Sequence, residues 1–461
     1  MDIVTNKGKE CLLYEGNKYR KYYTKKNDIV CWRCTIKCCN ARLESNNGTV
    51  VKQIGDHNHA ETVGNPSAVS LRVACKRKAS QDISVRPSKI IRSTVASDVS
   101  GVASETLTTR DVINCRAAIY RQRRKQYGTL PHSLSETIVK LRVMPMTTHK
   151  KEDFLMYCEE FSSDDGMAIF TTSTNLRTLV ACDTVLMDGT FKSCPRFFVQ
   201  VYTIFAYANH TYLPLVYGLL RNKEQSTYET FLQTVINQCF SMNLVFKPAV
   251  VLTDFEKSAM NAVSALLPDS RLHGCRFHLG QSWWRRIQTL GLSEEYKDKR
   301  TEIGQWLLLF FGLSLLSPGD VSTAFTDEIM STMPADDRCQ RFADYVVENY
   351  VDFNSDFPVG LWAQSPDLNP ATTNGAESFH GHMNDDFNTP HPNIYIFVES
   401  LLRQQTATYI SIGSLAFTKT LPRAAREKTA LLMQFYTDYL QGNITMKQYI
   451  QRVAYRVAPS T

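Results

Sequence analysis

Between residues 8 and 60, short runs rich in apolar and aromatic residues (CLLY, KYRKYYT, IVCWRC, ARLES, TVVKQI) are separated by the turn sequences EGN and NNG. Such punctuated β-type patterning predicts a small β-rich unit over 8–60. From 61 to 105 the chain shifts to Ser, Ala, Thr and Val with scattered Lys and Arg and few aromatics. That composition predicts a basic, flexible linker. A helix is predicted over 107–127, with Thr108 or Thr109 as its cap and Asp111 in its first turn. Two or three helices fit 132–180, so 106–180 reads as a helical region and a candidate for DNA binding.

The pattern then turns strand-like, through VACDTVLMD, FFVQVYTIFAYAN and YLPLVYGLL. An amphipathic helix from Tyr228 to Phe240, a strand AVVLTD, a helix from Glu256 to Leu267 and a short strand RLHGCRF follow. Residues 279–355 read as helical almost throughout, and so does 394–456. The predicted class is α/β: a core over 181–393 with a helical insertion at about 279–365, then a helical C-terminal region, 394–461. The most apolar stretch, Trp306 to Leu316, has about half the length a bilayer span needs, which predicts a buried helix and no membrane role. No repeat of solenoid type is present.

Composition adds little until its placement is considered. The net charge of +7 is mild, but basic residues cluster at Arg72, Lys76-Arg77-Lys78, Arg86, Lys89 and Arg92, and again from Arg116 to Lys125. The 13 cysteines are an odd number behind a polar N-terminus, which argues for reduced thiols rather than a disulfide framework. Four of them, Cys31, Cys34, Cys38 and Cys39, crowd into nine positions, and His57 and His59 follow. Cys34, Cys39, His57 and His59 can form a two-sulfur, two-nitrogen site suited to tetrahedral Zn²⁺. So small a unit has little core, and a metal would supply folding free energy.

The succession Leu12-Leu13-Tyr14, Tyr19, Trp32-Arg33-Cys34, Cys39-Asn40-Ala41-Arg42 and His57-Asn58-His59 resembles a FLYWCH-type zinc finger. The resemblance selects Cys39 over Cys38, because the family's second cysteine stands two residues before Ala-Arg. It also implies DNA binding or protein contacts. Arg33 and Arg42, with Lys18, Arg20 and Lys21, supply positive charge for phosphates; a solvated charged face is the alternative reading of each. Lys76, Arg77 and Lys78 are further candidates for contact with DNA.

Three acidic residues stand out by position. Asp188 ends the apolar run VLMD, Asp254 ends VVLTD, and Glu377 lies in TTNGAESFH at the start of a predicted helix. Carboxylates at strand ends and on a neighbouring helix can hold two Mg²⁺ ions for phosphoryl transfer. A strand-end Asp is also a common turn former or helix cap.

MDGTFK (187–192), YLPLVYGLL, LTDFE (252–256), CRFHL (275–279) and TTNGAESFH (372–380) occur in the order and spacing of Mutator-type (MULE) transposases, over about 180–385. That resemblance implies an RNase H-like fold and a catalytic Asp-Asp-Glu triad at Asp188, Asp254 and Glu377, with Mg²⁺ or Mn²⁺. Cys275 and His278 match the family's Cys-x-x-His motif. They could bind metal with partners such as His380 and His382, or serve as a structural pair. Asn374 and His380, at i−3 and i+3 from Glu377, are weaker candidates to orient the triad or to touch DNA.

The expectation is therefore a nuclear DNA transposase that binds element ends and target DNA as double strands, then cuts and joins them. A further copy of the chain is a candidate partner, through the helical insertion. The alternatives are a domesticated regulator that binds DNA without cutting it, and an RNA-directed nuclease of the same fold.

Overall fold

The computed structural model describes residues 2–6, 9–25, 27–59, 66–97, 107–366, 374–387, 389–417 and 419–459. The chain divides into two compact units, Met1–Thr129 and Leu130–Thr461.

The first unit begins with six antiparallel strands in sequential order: β1 Asp2–Asn6, β2 Lys9–Tyr14, β3 Asn17–Thr24, β4 Val30–Cys34, β5 Arg42–Asn46 and β6 Thr49–Ile54. Alternation puts Leu12, Tyr19, Trp32 and Leu43 on one face, where they bury with Cys34, Cys39 and Ala41. The indole of Trp32 donates to Ser45 Oγ at 2.8 Å, so burying that ring strands no polar group. The turns are built at left-handed residues, Glu15-Gly16 and Asn47-Gly48 among them.

Within the expected linker 61–105 the structure differs, for it holds two helices, α1 Pro66–Gln81 and α2 Pro87–Ala96. Both pack on α3, Thr109–Tyr127, whose N-terminus is closed by a reciprocal Thr108–Asp111 capping box. Leu71, Cys75 and Ala79 recur every four residues and form a narrow stripe that meets Ile90, Ile91, Cys115 and Ile119. The stripe is only three small-to-medium side chains wide, interleaved with Lys and Arg, and so it leaves a weak compositional trace. Arg123 ties the turn between α1 and α2 by donating to the carbonyls of Asp82 and Val85 at 3.1 and 2.6 Å. Residues 60–65 and 98–106 of that stretch lie outside the described residues.

The second unit is built on a seven-stranded sheet in the order β13-β12-β9-β10-β11-β8-β7. At its centre β9 Thr184–Thr190, β10 Gln200–Ala208 and β11 Thr211–Leu220 form an antiparallel meander. The β10–β11 hairpin turns on Asn209-His210, both at positive φ, the backbone that a two-residue hairpin requires. β12 Val250–Thr253 pairs parallel with β9, and β13 Arg271–Gly274 pairs parallel with β12. The other edge is extended by β7 Leu155–Ser162 and β8 Asp165–Phe170, in a region the sequence pattern reads as helical. Such short runs have no clear period, and tertiary pairing decides their state.

One sheet face is covered by α5 Ser173–Val180, α6 Gln225–Ser241 and α7 Lys257–Leu266 through Leu176, Phe231, Val235 and Val263. α4, Leu134–Val143, packs on β7 and β8. α14, Ile394–Gly413, packs on β11, and most of the remaining helices form a second core. α8 Arg276–Thr289, α10 Glu302–Leu313 and α12 Asp337–Val346 pack with α15 Arg423–Leu440 and α16 Met446–Val457; the short α9 Ser293–Lys297 and α11 Pro318–Thr323 lie between them in sequence. Trp306 to Leu316 is interior to this cluster, so it offers no exposed apolar face to a partner. No described helix is long and apolar enough to cross a membrane.

Candidate functional sites

In the first unit, the hairpin-like exit of β4 and the loop after β6 bring Cys34, Cys39, His57 and His59 together, with all four ligand atoms within 4.8 Å of one another. Cys34 Sγ lies 3.3 Å from His59 Nε2, Cys39 Sγ 3.3 Å from His57 Nδ1, and the two ring nitrogens are 3.1 Å apart. Tetrahedral Zn²⁺ with bonds of ~2.3 Å to sulfur and ~2.0 Å to nitrogen sets such edges at about 3.3–3.8 Å, so the cage fits with slight expansion. This is a Cys2His2 zinc site. Cys38 is exposed and stands outside it.

Tyr19, which sequence reasoning did not connect with the metal, completes the site. His57 presents Nδ1 to the metal position, so its Nε2 carries the proton and donates to the Tyr19 hydroxyl at 2.7 Å. Burial, with the nearby Cys34 and Cys39 sulfurs, pushes the Tyr19 hydroxyl up to about 12. The phenol stays neutral and holds the ring in one tautomer.

On the outer face of the same sheet, Arg20 pairs across the strands with Arg33, and Arg33 with Arg42. All three are exposed, and the guanidinium groups of Arg33 and Arg42 lie 5.8 and 6.0 Å from the Tyr22 ring centroid. Lys76 and Arg77 are exposed on α1, and Lys78 is half-buried.

In the second unit, strand alternation aims the carboxylates. Val185 and Met187 of β9 face the helices α5–α7, so Leu186 and Asp188 face the opposite side. On β12, Val251 faces α5–α7 and Leu252 the opposite side, which puts Asp254 on the side of Asp188. That side is covered by α13, Asn374–Asp385, through Ala376 and Phe379 packed on Phe205 and Tyr212. Gly375 permits this approach, because a Cβ there would lie 2.1 Å from the Tyr212 ring.

α13 carries Glu377 and His380 one turn apart. His380 is 5 % exposed and Asp188 4 %, and since a carboxylate only accepts, His380 Nδ1 donates to Asp188 Oδ2 at 2.9 Å. Thr203, the cross-strand partner of Asp188, places its hydroxyl 3.2 Å from His380 Nε2. His278, in the first turn of α8, brings Nε2 to 3.1 Å from Glu377 Oε1, but not in hydrogen-bond alignment. Asp254 Oδ1 and Glu377 Oε1 are therefore buried without a hydrogen-bond partner. Burial, then the charges of Asp188 and Glu256, raise Asp254 from 3.8 to about 7. Burial and Asp188 raise Glu377 from 4.5 to about 7.

Glu256, not singled out by the sequence reading, is held by the Tyr228 hydroxyl and by Lys223 Nζ at 2.5 Å. Cys275 is fully buried and caps α8, whereas His382 is exposed on α13, away from His380. The side chain of Asn374 and residues 372–373 of the motif lie outside the described residues. Among the described residues, no second group of three or more Cys, His, Asp or Glu gathers as tightly as the finger ligands, so the carboxylates stand farther apart than that cage.

Comparison with protein families gives two matches: the MULE transposase domain over 184–282 and the FLYWCH zinc finger domain over 3–59. The first contains Asp188, Asp254, Cys275 and His278; the second contains all four zinc ligands. No curated protein sequence matches the chain. The chain thus carries a MULE-type transposase domain behind an N-terminal FLYWCH zinc finger, and it is a transposase-related protein.

Proposed function

We propose that the chain is a nuclear DNA transposase that cuts and joins double-stranded DNA through Asp188, Asp254 and Glu377 in an RNase H-like core. The observation that carries this reading is the pair of buried, unpartnered carboxylate oxygens, Asp254 Oδ1 and Glu377 Oε1, beside Asp188. A buried anionic oxygen without a donor is expensive, and a cation relieves it. The sheet supports the fold: a three-stranded antiparallel meander, two parallel strands beside its first strand, and a carboxylate toward the C-terminal end of each of the two adjoining strands, Asp188 within β9 and Asp254 just past β12.

The three carboxylates fit Mg²⁺ or Mn²⁺, which would supply charge to the attacking and leaving oxygens of a phosphodiester. The chain's own residues prepare that position. His380 and Thr203 fix the orientation of Asp188, while Tyr228 and Lys223 hold Glu256, whose charge acts on Asp254. His278 stands beside Glu377, where burial keeps its ring below the usual histidine range and hence neutral near pH 7. The row Arg20–Arg33–Arg42 supports DNA binding by the finger. Like charges facing each other across strands destabilise a sheet, and a polyanion relieves that repulsion.

The test is cleavage of a duplex bearing the element's terminal repeats, with Mg²⁺ or Mn²⁺. Asp188→Ala, Asp254→Asn and Glu377→Gln should each lose roughly a thousandfold in rate while specific binding persists. Wild-type-like cutting by any one of them removes that residue from the triad. The looser spread of the carboxylates favours one second reading, a DNA-binding regulator. A wild-type chain that binds these ends and never cuts them would select it.

A further inference from the structure

Two elements that carry the carboxylates run on into the wall of one cavity. β9 leads from Asp188 into the loop 191–199, and α13 leads from Glu377 and His380 to Phe387 and residues 389–393. The two segments are tied together. His391 N donates to the carbonyl of Lys192 at 2.9 Å, His391 Nδ1 to that of Cys194 at 3.2 Å, and Ser193 Oγ to Asn384 Oδ1. Beside α4 and the start of α14 they leave a cavity of about 350 Å³, open to solvent, whose lining includes Arg196, Phe197, Phe387, His391, Thr137 and Ile396. Phe387 lies seven residues past His380, about 10 Å at helical rise, so the cavity is within a few nucleotides' length of Asp188.

The lining offers two kinds of surface. Phe197 and Phe387 supply aromatic rings, and Phe387 is fixed by stacking on Phe397 with the ring planes 21° apart. Arg196 and His391 supply polar edges. Arg196 is exposed and makes no ion pair or hydrogen bond among the described residues. A carbonyl only accepts, so His391 carries a proton on Nδ1. Nε2 of the neutral ring is then an acceptor, without a partner among the described residues. An acceptor there disfavours a phosphate, and an aliphatic ligand would leave both polar groups unanswered. A planar heterocycle with donors and acceptors along its edge matches both surfaces.

The backbone adds an independent sign. Phe197 and His391 both stand at positive φ, 75° and 53°, in the left-handed region that bulky residues avoid. Strain of this kind collects at ligand sites, and here both strained residues line the same cavity. On the way back to Asp188, Phe191 and Lys192 are exposed, and Lys223 Nζ lies 4.6 Å from the Phe191 ring centroid. Interleaved aromatic and basic side chains suit an unpaired strand, whose bases stack while its phosphates meet the cations.

We propose that this cavity receives one nucleobase, unstacked from the DNA strand that enters the carboxylate site. Phe197 and Phe387 stack on the base, and Arg196 and His391 bond its edge. A base held there fixes the register of the nearby phosphates at the carboxylates. The identity of the strand rests on the transposase reading, whereas the base site is additional to it.

The experiment uses the full zinc-loaded chain and two short duplexes, one fully paired and one with a single mismatched 2-aminopurine. A mismatched base costs less to extrude, so wild type should bind the second duplex roughly tenfold tighter. The 2-aminopurine emission should rise as the base leaves its stacked neighbours. Ile396→Trp fills the cavity, and Arg196→Gln removes a donor from an exposed loop. Each should level the two affinities and abolish the rise, with the zinc content and thermal midpoint of wild type. Equal affinity of wild type for the two duplexes overturns the base site, and so does a preference that survives both substitutions. Wild type that discriminates the duplexes as expected, yet never cuts element ends, supports the base site and overturns the catalytic reading, so the two failures are distinct.

Discussion

His380 Nδ1 donates to Asp188 Oδ2 at 2.9 Å, and both side chains are almost fully buried between α13 and β9. The bond joins residues 192 positions apart and pins the helix that carries Glu377 to the strand that carries Asp188. Replacing His380 by Ala leaves that carboxylate oxygen buried without its donor, a loss of about 1–3 kcal/mol before any cavity is counted. His380→Asn keeps a donor near the Nδ1 position and should recover much of both stability and cleavage. Equal thermal midpoints for wild type and His380→Ala would show that the bond does not hold the two elements together.

Tyr19 acts on the zinc through His57. Tyr19→Phe keeps the buried ring but removes the hydroxyl that receives the Nε2 proton. Losing such an outer partner typically lowers metal affinity 10–100-fold, and competition with a chromophoric chelator measures it. Cys34→Ser should go further and abolish stoichiometric zinc, with loss of the β1–β6 sheet. Unaltered zinc affinity in Tyr19→Phe would mean that the ring orientation is fixed by other contacts.

Gly375 tests whether the seating of α13 matters to the chemistry. A methyl group there would meet the Tyr212 ring at 2.1–2.5 Å, so the first turn of α13 must lift from β11. Gly375→Ala should therefore reduce cleavage at least tenfold with little change in DNA affinity, because Glu377 is only two residues on. Tyr212→Ala in the same background should restore part of the rate by opening space. No loss in Gly375→Ala would uncouple helix seating from activity.

Much of the two sites is legible in the sequence, for a physical reason. Zinc ligands and strand-end carboxylates are short-range signals: Cys34, Cys39, His57 and His59 fall within 26 positions, and Asp188 and Asp254 end apolar runs. What the sequence does not show is created by packing. Tyr19 reads as an aromatic core residue until the fold brings it to His57, and Glu256 reads as a surface acid until Tyr228 and Lys223 close on it. The helices at 66–81 and 87–96 were hidden by a narrow stripe under a basic surface. The strands at 155–162 and 165–170 were too short to declare a period, and pairing with β11 determines them.

The raised carboxyls make a final prediction about pH. Asp254 and Glu377, at about 7 in the folded chain against 3.8 and 4.5 ordinarily, bind protons there that the unfolded chain has already released. Where the folded state holds more protons, unfolding free energy falls as pH rises. Zinc-loaded protein without Mg²⁺ or Mn²⁺ should thus lose stability between about pH 4 and pH 7 from these two groups and level off above. His278 contributes the opposite slope, since its lowered value means that the unfolded chain takes up its proton first as pH falls. The clean measurement is therefore the difference between wild type and Asp254→Asn in thermal midpoint across pH. The variant should gain relative to wild type as pH rises, because Asn has no proton to lose and no charge to bury. Mg²⁺ should reverse the order at pH 8, stabilising wild type more than the variant, and do little at pH 5, where protons occupy the same oxygens. Parallel curves for the two proteins, with and without Mg²⁺, would show that the Asp254 carboxylate is neither strained by burial nor a ligand.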